Sequence, residues 1–170
     1  MAGPGVATRP AGSVRILVVG YGNTLRGDDG LGPFTVEGLR DVAAVCAVEA
    51  QTAVLPQLDV TLASEMSDAT LVIFVDARDD ADEEPVKVER VFPTAAPLNL
   101  RHTSHSLGIP DHLRMAQDWF GSRPACYAVM PKGYDFSLSE NISPNAQQTA
   151  RQARSKIVEI IQRCATGSEY

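Results

Sequence analysis

The stretch Val14-Arg-Ile-Leu-Val-Val-Gly-Tyr-Gly-Asn-Thr-Leu-Arg-Gly-Asp-Asp-Gly-Leu-Gly32 decides the fold. Its first six residues form a nearly continuous β-branched apolar run, the pattern of a strand buried on both faces. A glycine-rich turn follows. A helix is predicted from just after Gly30 to about Val45, with Phe34, Val36, Leu39, Val42 and Ala43 on its inner face. The same grammar recurs downstream. Thr70-Leu-Val-Ile-Phe-Val75 reads as a second buried strand closed by Asp76, and Ala125–Met130 as another. Between them the pattern predicts a short strand over Val45–Ala50 and a helix opened by Pro56, with Leu58, Leu62, Ala63 and Met66 inward. An outer strand is expected over Val86–Phe92, a helix from about Pro110 to Phe120, and a last helix from Pro144 to about Cys164 carrying Ala150, Ile157, Ile160 and Ile161 inward. Thr94–Ser106 and Pro131–Ser143 read as long loops.

Strands alternating with helices define an α/β domain: a three-layer α/β/α sandwich around a mostly parallel, twisted sheet of about five strands, phosphorylase/hydrolase-like. One domain is expected over residues 14–165, with a flexible leader at 1–13 and a flexible tail at 166–170. In such sheets ligands bind beyond the carboxyl ends of the strands. The expected strand order 2-1-3 makes the Val14–Val19 and Thr70–Val75 strands neighbours, so that Asp29 and Asp76 converge at one end.

Composition narrows the function classes. Hydrophobic residues make up 44% and charged residues 21%, a balance that excludes a disordered or collagen-like chain. The net charge is −6, Lys and Arg are scattered, and the densest charge run, Asp79–Glu84, is acidic. Nucleic-acid binding is therefore not expected. No apolar run approaches the ~20 residues that cross a bilayer. The three cysteines, Cys46, Cys126 and Cys164, lie far apart without a Cys-x-x-Cys pair, which suits a reducing compartment better than a disulfide framework. A cytoplasmic monomer is the expectation.

Chemistry-bearing residues are few. The turn after the first strand does not fit a dinucleotide fingerprint, because the third glycine would fall at position 25, which is Leu. It lacks the Gly-Lys-Ser/Thr of a phosphate loop. What it offers is Asp28 and Asp29, of which one reads as a helix N-cap and the other is left for function. Asp76 ends an apolar strand, where an acid is costly unless solvated or bound. All three histidines, His102, His105 and His112, fall within eleven positions. His112 lies on the next helix and reads as solvated; His105, before Leu-Gly-Ile-Pro, is best placed to face the sheet end. Two aspartates and an imidazole make an oxygen and nitrogen set suited to a divalent transition metal. No Gly-x-Ser-x-Gly elbow is present, and the cysteines read as core. Trp119 and Phe120 read as packing residues; Asp59, Glu65 and Asp68 as a wet helix face.

Two other readings compete. Paired acids, Asp76, Ser104 and Lys132 occur in the order of a response-regulator receiver, although eight residues separate the first strand from the acid pair and Lys132 follows a proline instead of preceding it. A non-catalytic α/β binding scaffold is the other.

The whole order of motifs resembles the NiFe-hydrogenase maturation proteases. Val18-Val-Gly-Tyr-Gly-Asn-Thr-Leu-Arg-Gly-Asp-Asp-Gly-Leu-Gly32 is similar to their opening signature, and Leu55-Pro56-Gln-Leu58, Val72-Ile-Phe-Val-Asp-Ala77, His105-Ser-Leu-Gly-Ile-Pro110 and Leu138-Ser-Glu-Asn-Ile-Ser-Pro144 follow in order. The resemblance implies an endopeptidase that removes the C-terminal extension of a hydrogenase large-subunit precursor once nickel is in place. It implies that Asp29, Asp76 and His105 contact the nickel carried by that substrate. Whether Asp28 or Asp29 is the base, and whether His102 or His105 is the ligand, stays open at this level.

Overall fold

The computed structural model describes residues 14–39, 49–96 and 107–167. Its strands are β1 (Arg15–Tyr21), β2 (Glu49–Leu55), β3 (Leu71–Val75), β4 (Val86–Arg90) and β5 (Ala125–Pro131). They form one sheet in the order β2-β1-β3-β5-β4. All pairs are parallel except β4 with β5. The helices α1 (Leu31–Glu37), α2 (Leu62–Met66), α3 (Ile109–Phe120) and α4 (Pro144–Ala165) cover it.

The two faces separate cleanly by the alternation of side chains along each strand. Ile16, Val18, Ile73 and Val129 meet Val36 of α1 and Ile157, Ile160 and Ile161 of α4 on one side. Leu17, Val19, Val72 and Phe74 meet Leu62 and Met66 of α2 and Leu113 and Ala116 of α3 on the other. Cys126 lies in this second layer, and burial pushes its thiol up to about 12, the state of an inert core cysteine. Cys164 packs at the edge of the first; Cys46 lies outside the described residues.

The predicted three-layer α/β architecture and the 2-1-3 core of the strand order hold, and several local expectations change. Helix α1 ends at Glu37; the expected end near Val45 lies outside the described residues. Arg154 of α4 donates from Nε to Thr35 O (3.0 Å) and from Nη2 to Phe34 O (2.7 Å). The carbonyls that a further turn would need are thereby taken by a guanidinium. Val42 and Ala43 lie outside the described residues. Strand β2 runs over Glu49–Leu55, later than Val45–Ala50, in register from Arg15↔Glu49 to Tyr21↔Leu55. Among the described residues it pairs only with β1, and its exposed Gln51 and Thr52 hide it from a hydrophobicity reading. Pro56 ends that strand instead of opening a helix. The helix starts at Leu62, where Asp59 Oδ1 accepts from Thr61 N–H (2.8 Å). Trp119 and Phe120, expected to pack, are each 48% exposed at the end of α3, beyond the last residue, Ala116, that reaches the sheet.

The topology also removes the receiver reading. That fold is entirely parallel in the order 2-1-3-4-5, whereas here β5 lies beside β3 and β4 is an antiparallel outer strand. Among the described residues, no helix is long and apolar enough to cross a membrane.

Candidate active site

Strands β1 and β3 are hydrogen-bonded neighbours whose carboxyl ends open side by side. Tyr21 ends β1, and the chain then turns through Gly22 and a tight turn at Gly27–Gly30 into α1. Gly22 has φ +142, and a Cβ there would collide with the Asp29 carbonyl, so only glycine lets the loop fold back. Gly32 lies against the carbonyls of Tyr21 and Val75, where a Cβ would collide with both strand ends. Helix α1 is thus seated directly across the β1–β3 junction.

This loop presents two adjacent acids in opposite ways. Asp28 points inward and is fully buried, at 0% exposure. It accepts from Tyr134 N–H (2.8 Å), Asp135 N–H (2.9 Å), Ser143 N–H (2.7 Å) and Ser143 Oγ (2.8 Å). It is not the N-cap of α1, which has no side-chain cap. It instead fastens the 133–143 loop and the start of α4, whose own N-cap is Ser143. The loops are also joined through Gly27 N–H to Ser139 O (2.7 Å) and Ser139 N–H to Leu25 O (3.1 Å). With four donors on its oxygens Asp28 holds the two loops together, and Asp29 is the acid of the pair that lines the cleft.

Asp29 is half-buried, its Oδ2 accepting from Asn23 N–H (2.9 Å). It shares an open cleft with Asp76, Tyr21, Gln57, Leu58 and Gly108. The predicted convergence of Asp29 and Asp76 is therefore met. Burial, with a smaller contribution from the Asp29 charge, pushes Asp76 up to about 6. The Tyr21 hydroxyl and the Ala77 backbone N–H lie against the carboxylate and act against that rise. Burial and the neighbouring Asp76 in turn push the Tyr21 phenol upward. Tyr21 was not singled out in the sequence. Its position as the last strand residue before Gly22 was the available signal.

His112 is not solvated. It is completely buried, with Nδ1 2.9 Å from Gly108 O and Nε2 3.0 Å from Asp59 O. It ties the first turn of α3 to the 56–61 segment, the two walls that face the carboxylates. His102, His105 and Ser104 lie outside the described residues. Among the described residues, no three His, Cys, Asp or Glu side chains form a group able to hold a metal. Lys132, which a receiver would aim at Asp76, instead donates to Asp82 O (2.8 Å) and Glu83 Oε1 (2.9 Å).

An α/β sandwich with an acidic cleft at the β1/β3 carboxyl ends is the class that fold and site define. The solved structures it resembles are narrower. The chain is 20% identical to the hydrogenase maturating endopeptidase HybD from E. coli, with a TM-score of 0.65 over 89% of this chain and 94% of that one. It is 24% identical to a hydrogenase 2 maturation peptidase from a Thaumarchaeota archaeon (TM-score 0.60, 91% and 99% covered). It is 22% identical to the NiFe hydrogenase maturation protease HycI from Thermococcus kodakarensis (TM-score 0.62, 89% and 95% covered). At these identities the likeness is one of fold. No protein-family model matches the chain, and no curated protein matches it significantly by sequence.

Proposed function

We propose that this protein is an endopeptidase that removes the C-terminal extension of a NiFe-hydrogenase large-subunit precursor after nickel insertion. Its ligands to the nickel carried by that substrate are Asp29, Asp76 and His105. The observation that carries the reading is the convergence of Asp29 and Asp76 in one open cleft, in a chain with the fold of hydrogenase maturation endopeptidases.

The electrostatics support a site that awaits a cation. Two carboxylates share the cleft, and no cation among the described residues forms an ion pair with either. Their mutual repulsion and the burial of Asp76 both favour a protonated Asp76. A divalent ion relieves both penalties, and its binding displaces the proton. The Asn23 N–H orients the Asp29 carboxylate, so less ordering is required there when substrate arrives. Because the metal belongs to the substrate, binding energy comes only from the loaded precursor, and the nickel-free form lacks the contact that positions its scissile bond. The sparse cysteines support a cytoplasmic setting.

The decisive experiment mixes purified protein with nickel-loaded and nickel-free large-subunit precursor and reads the product masses. Loss of a C-terminal peptide from the loaded sample alone is expected. Intact mass in both samples, with the cognate precursor supplied, would overturn the assignment.

A further inference from the structure

Among the described residues, strand β4 is paired on one side only, with β5. Lys132 N–H donates to Pro85 O (2.9 Å) and Val91 N–H to Cys126 O (2.9 Å). These bonds fix the parity of the strand: odd-numbered backbone groups face β5, and the N–H and C=O groups of Val86 and Val88 face outward. Prolines often blunt such an edge. Pro85 does not, because its missing donor is on the β5 side, and the Thr149 hydroxyl fills that place by donating to Lys132 O (2.8 Å). Val88 is 37% exposed, and a shallow groove beside it is lined by Val86, Val88, Lys156, Glu159 and Ile160.

We propose that β4 pairs antiparallel with β4 of a second copy of this chain, across a two-fold axis at Val88, joining the two sheets into one. The segment Lys87-Val88-Glu89 is self-complementary in that register alone. Val88 faces Val88 and exchanges two N–H···O bonds with it, while Lys87 falls opposite Glu89 of the second copy and Glu89 opposite its Lys87. Positions 87 and 89 are the non-hydrogen-bonded ones, where facing side chains approach most closely. A parallel pairing in register would set Lys against Lys and Glu against Glu. Part of the acidic run beside Lys87 is neutralised before the second copy arrives: Asp80, Asp82 and Glu83 are paired within the chain with Arg78, Lys87 and Lys132. Lys156 and Glu159, which pair with each other at 3.3 Å, rim the groove in which the added strand lies. This edge supplies a dimer where size and acidity alone suggest a monomer.

Sedimentation velocity of the full chain over about 1 µM to about 1 mM, with amide exchange read at Val86 and Val88, tests the proposal. A concentration-dependent dimer is expected, with the Val88 amide protected in step with it. Lys87→Glu weakens association about tenfold, since the two-fold axis doubles the pair term, and Lys87→Glu with Glu89→Lys restores it. Val88→Pro removes an outward donor only and yields a monomer; if it fails to fold, the charge exchange and the amide decide. A monomer throughout the range overturns the proposal, as does a dimer that leaves the Val88 amide unprotected or ignores the charge reversal. Edge protection appearing only on addition of an extended peptide likewise overturns it, assigning the edge to another chain.

Discussion

Asp80, Asp82 and Glu83 follow β3 at the carboxyl end of the sheet, and each has a cation of the same chain against it. Asp80 pairs with Arg78, Asp80 and Asp82 with Lys87 (3.2 and 2.9 Å), and Glu83 with Lys132 (2.9 Å). Asp29 and Asp76 stand at the same end of the sheet, and no described cation pairs with them. The two regions titrate in opposite directions. The Glu84 backbone N–H and the Lys87 ammonium hold Asp82 down at about 2, whereas burial holds Asp76 up at about 6. Three acids of the denser run are neutralised by cations of the same chain, and among the described residues neither acid of the sparser pair is. On the proposed assignment, the absence of internal partners marks the cation site better than local charge density does.

The largest effect expected from breaking this contrast is on turnover. Asp29→Asn, Asp76→Asn and His105→Ala each reduce cleavage of loaded precursor by at least about 10³-fold, within the range of a lost essential group, as a timed mass assay would read. Full activity in all three variants would remove the site assignment.

Next in size, Asp28→Ala strands four donors in the interior and lowers stability by about 3–5 kcal/mol. The measurement is a shift in denaturation midpoint at unchanged slope. An effect below about 1 kcal/mol would show that the 133–143 loop is seated by other bonds.

Asp76→Asn sharpens the comparison through its sign. The folded-state value of Asp76 lies above its ordinary value of 3.8, so the native state binds more protons than the unfolded chain between 3.8 and about 6. Ionisation of Asp76 therefore costs stability above that window. The asparagine variant melts at a higher temperature than the wild type at pH 7, and the gain vanishes below pH 3.8. An equal gain at every pH would mean that the carboxylate charge is not the cause.

The smallest effect belongs to the exposed run. Asp82 has a folded-state value below 3.8, so its contribution is complete above that pH and is lost as pH falls through about 2. Asp82→Asn slightly reduces stability at pH 7 and leaves it unchanged at the acid end, measured by thermal melts at both. Cleavage is unaffected.

What the sequence made legible was set by burial. β1, β3 and β5 are apolar runs because both faces are covered, so their positions and neighbours follow from hydrophobicity. β2 was misplaced because Gln51 and Thr52 face outward on an edge. Asp76 could be found because an acid at the end of such a run is anomalous. Asp28 and Asp29 look identical as adjacent letters, and what separates them is the Ser143 hydroxyl together with three backbone N–H groups of residues 134–143, which carry no residue identity. His112 escaped for the same reason: its partners are the carbonyl oxygens of Gly108 and Asp59.

The bonds from Asp28 to Tyr134 and Ser143 bridge separations of 106 and 115 residues. On a ribosome, which releases the chain from its amino end, the Asp28–Asp29 turn emerges long before the segment that anchors it. A nascent chain therefore carries both acids of the turn without their final seating. The turn is seated as the structure shows it only once the start of α4 has left the exit tunnel and its donors can reach Asp28.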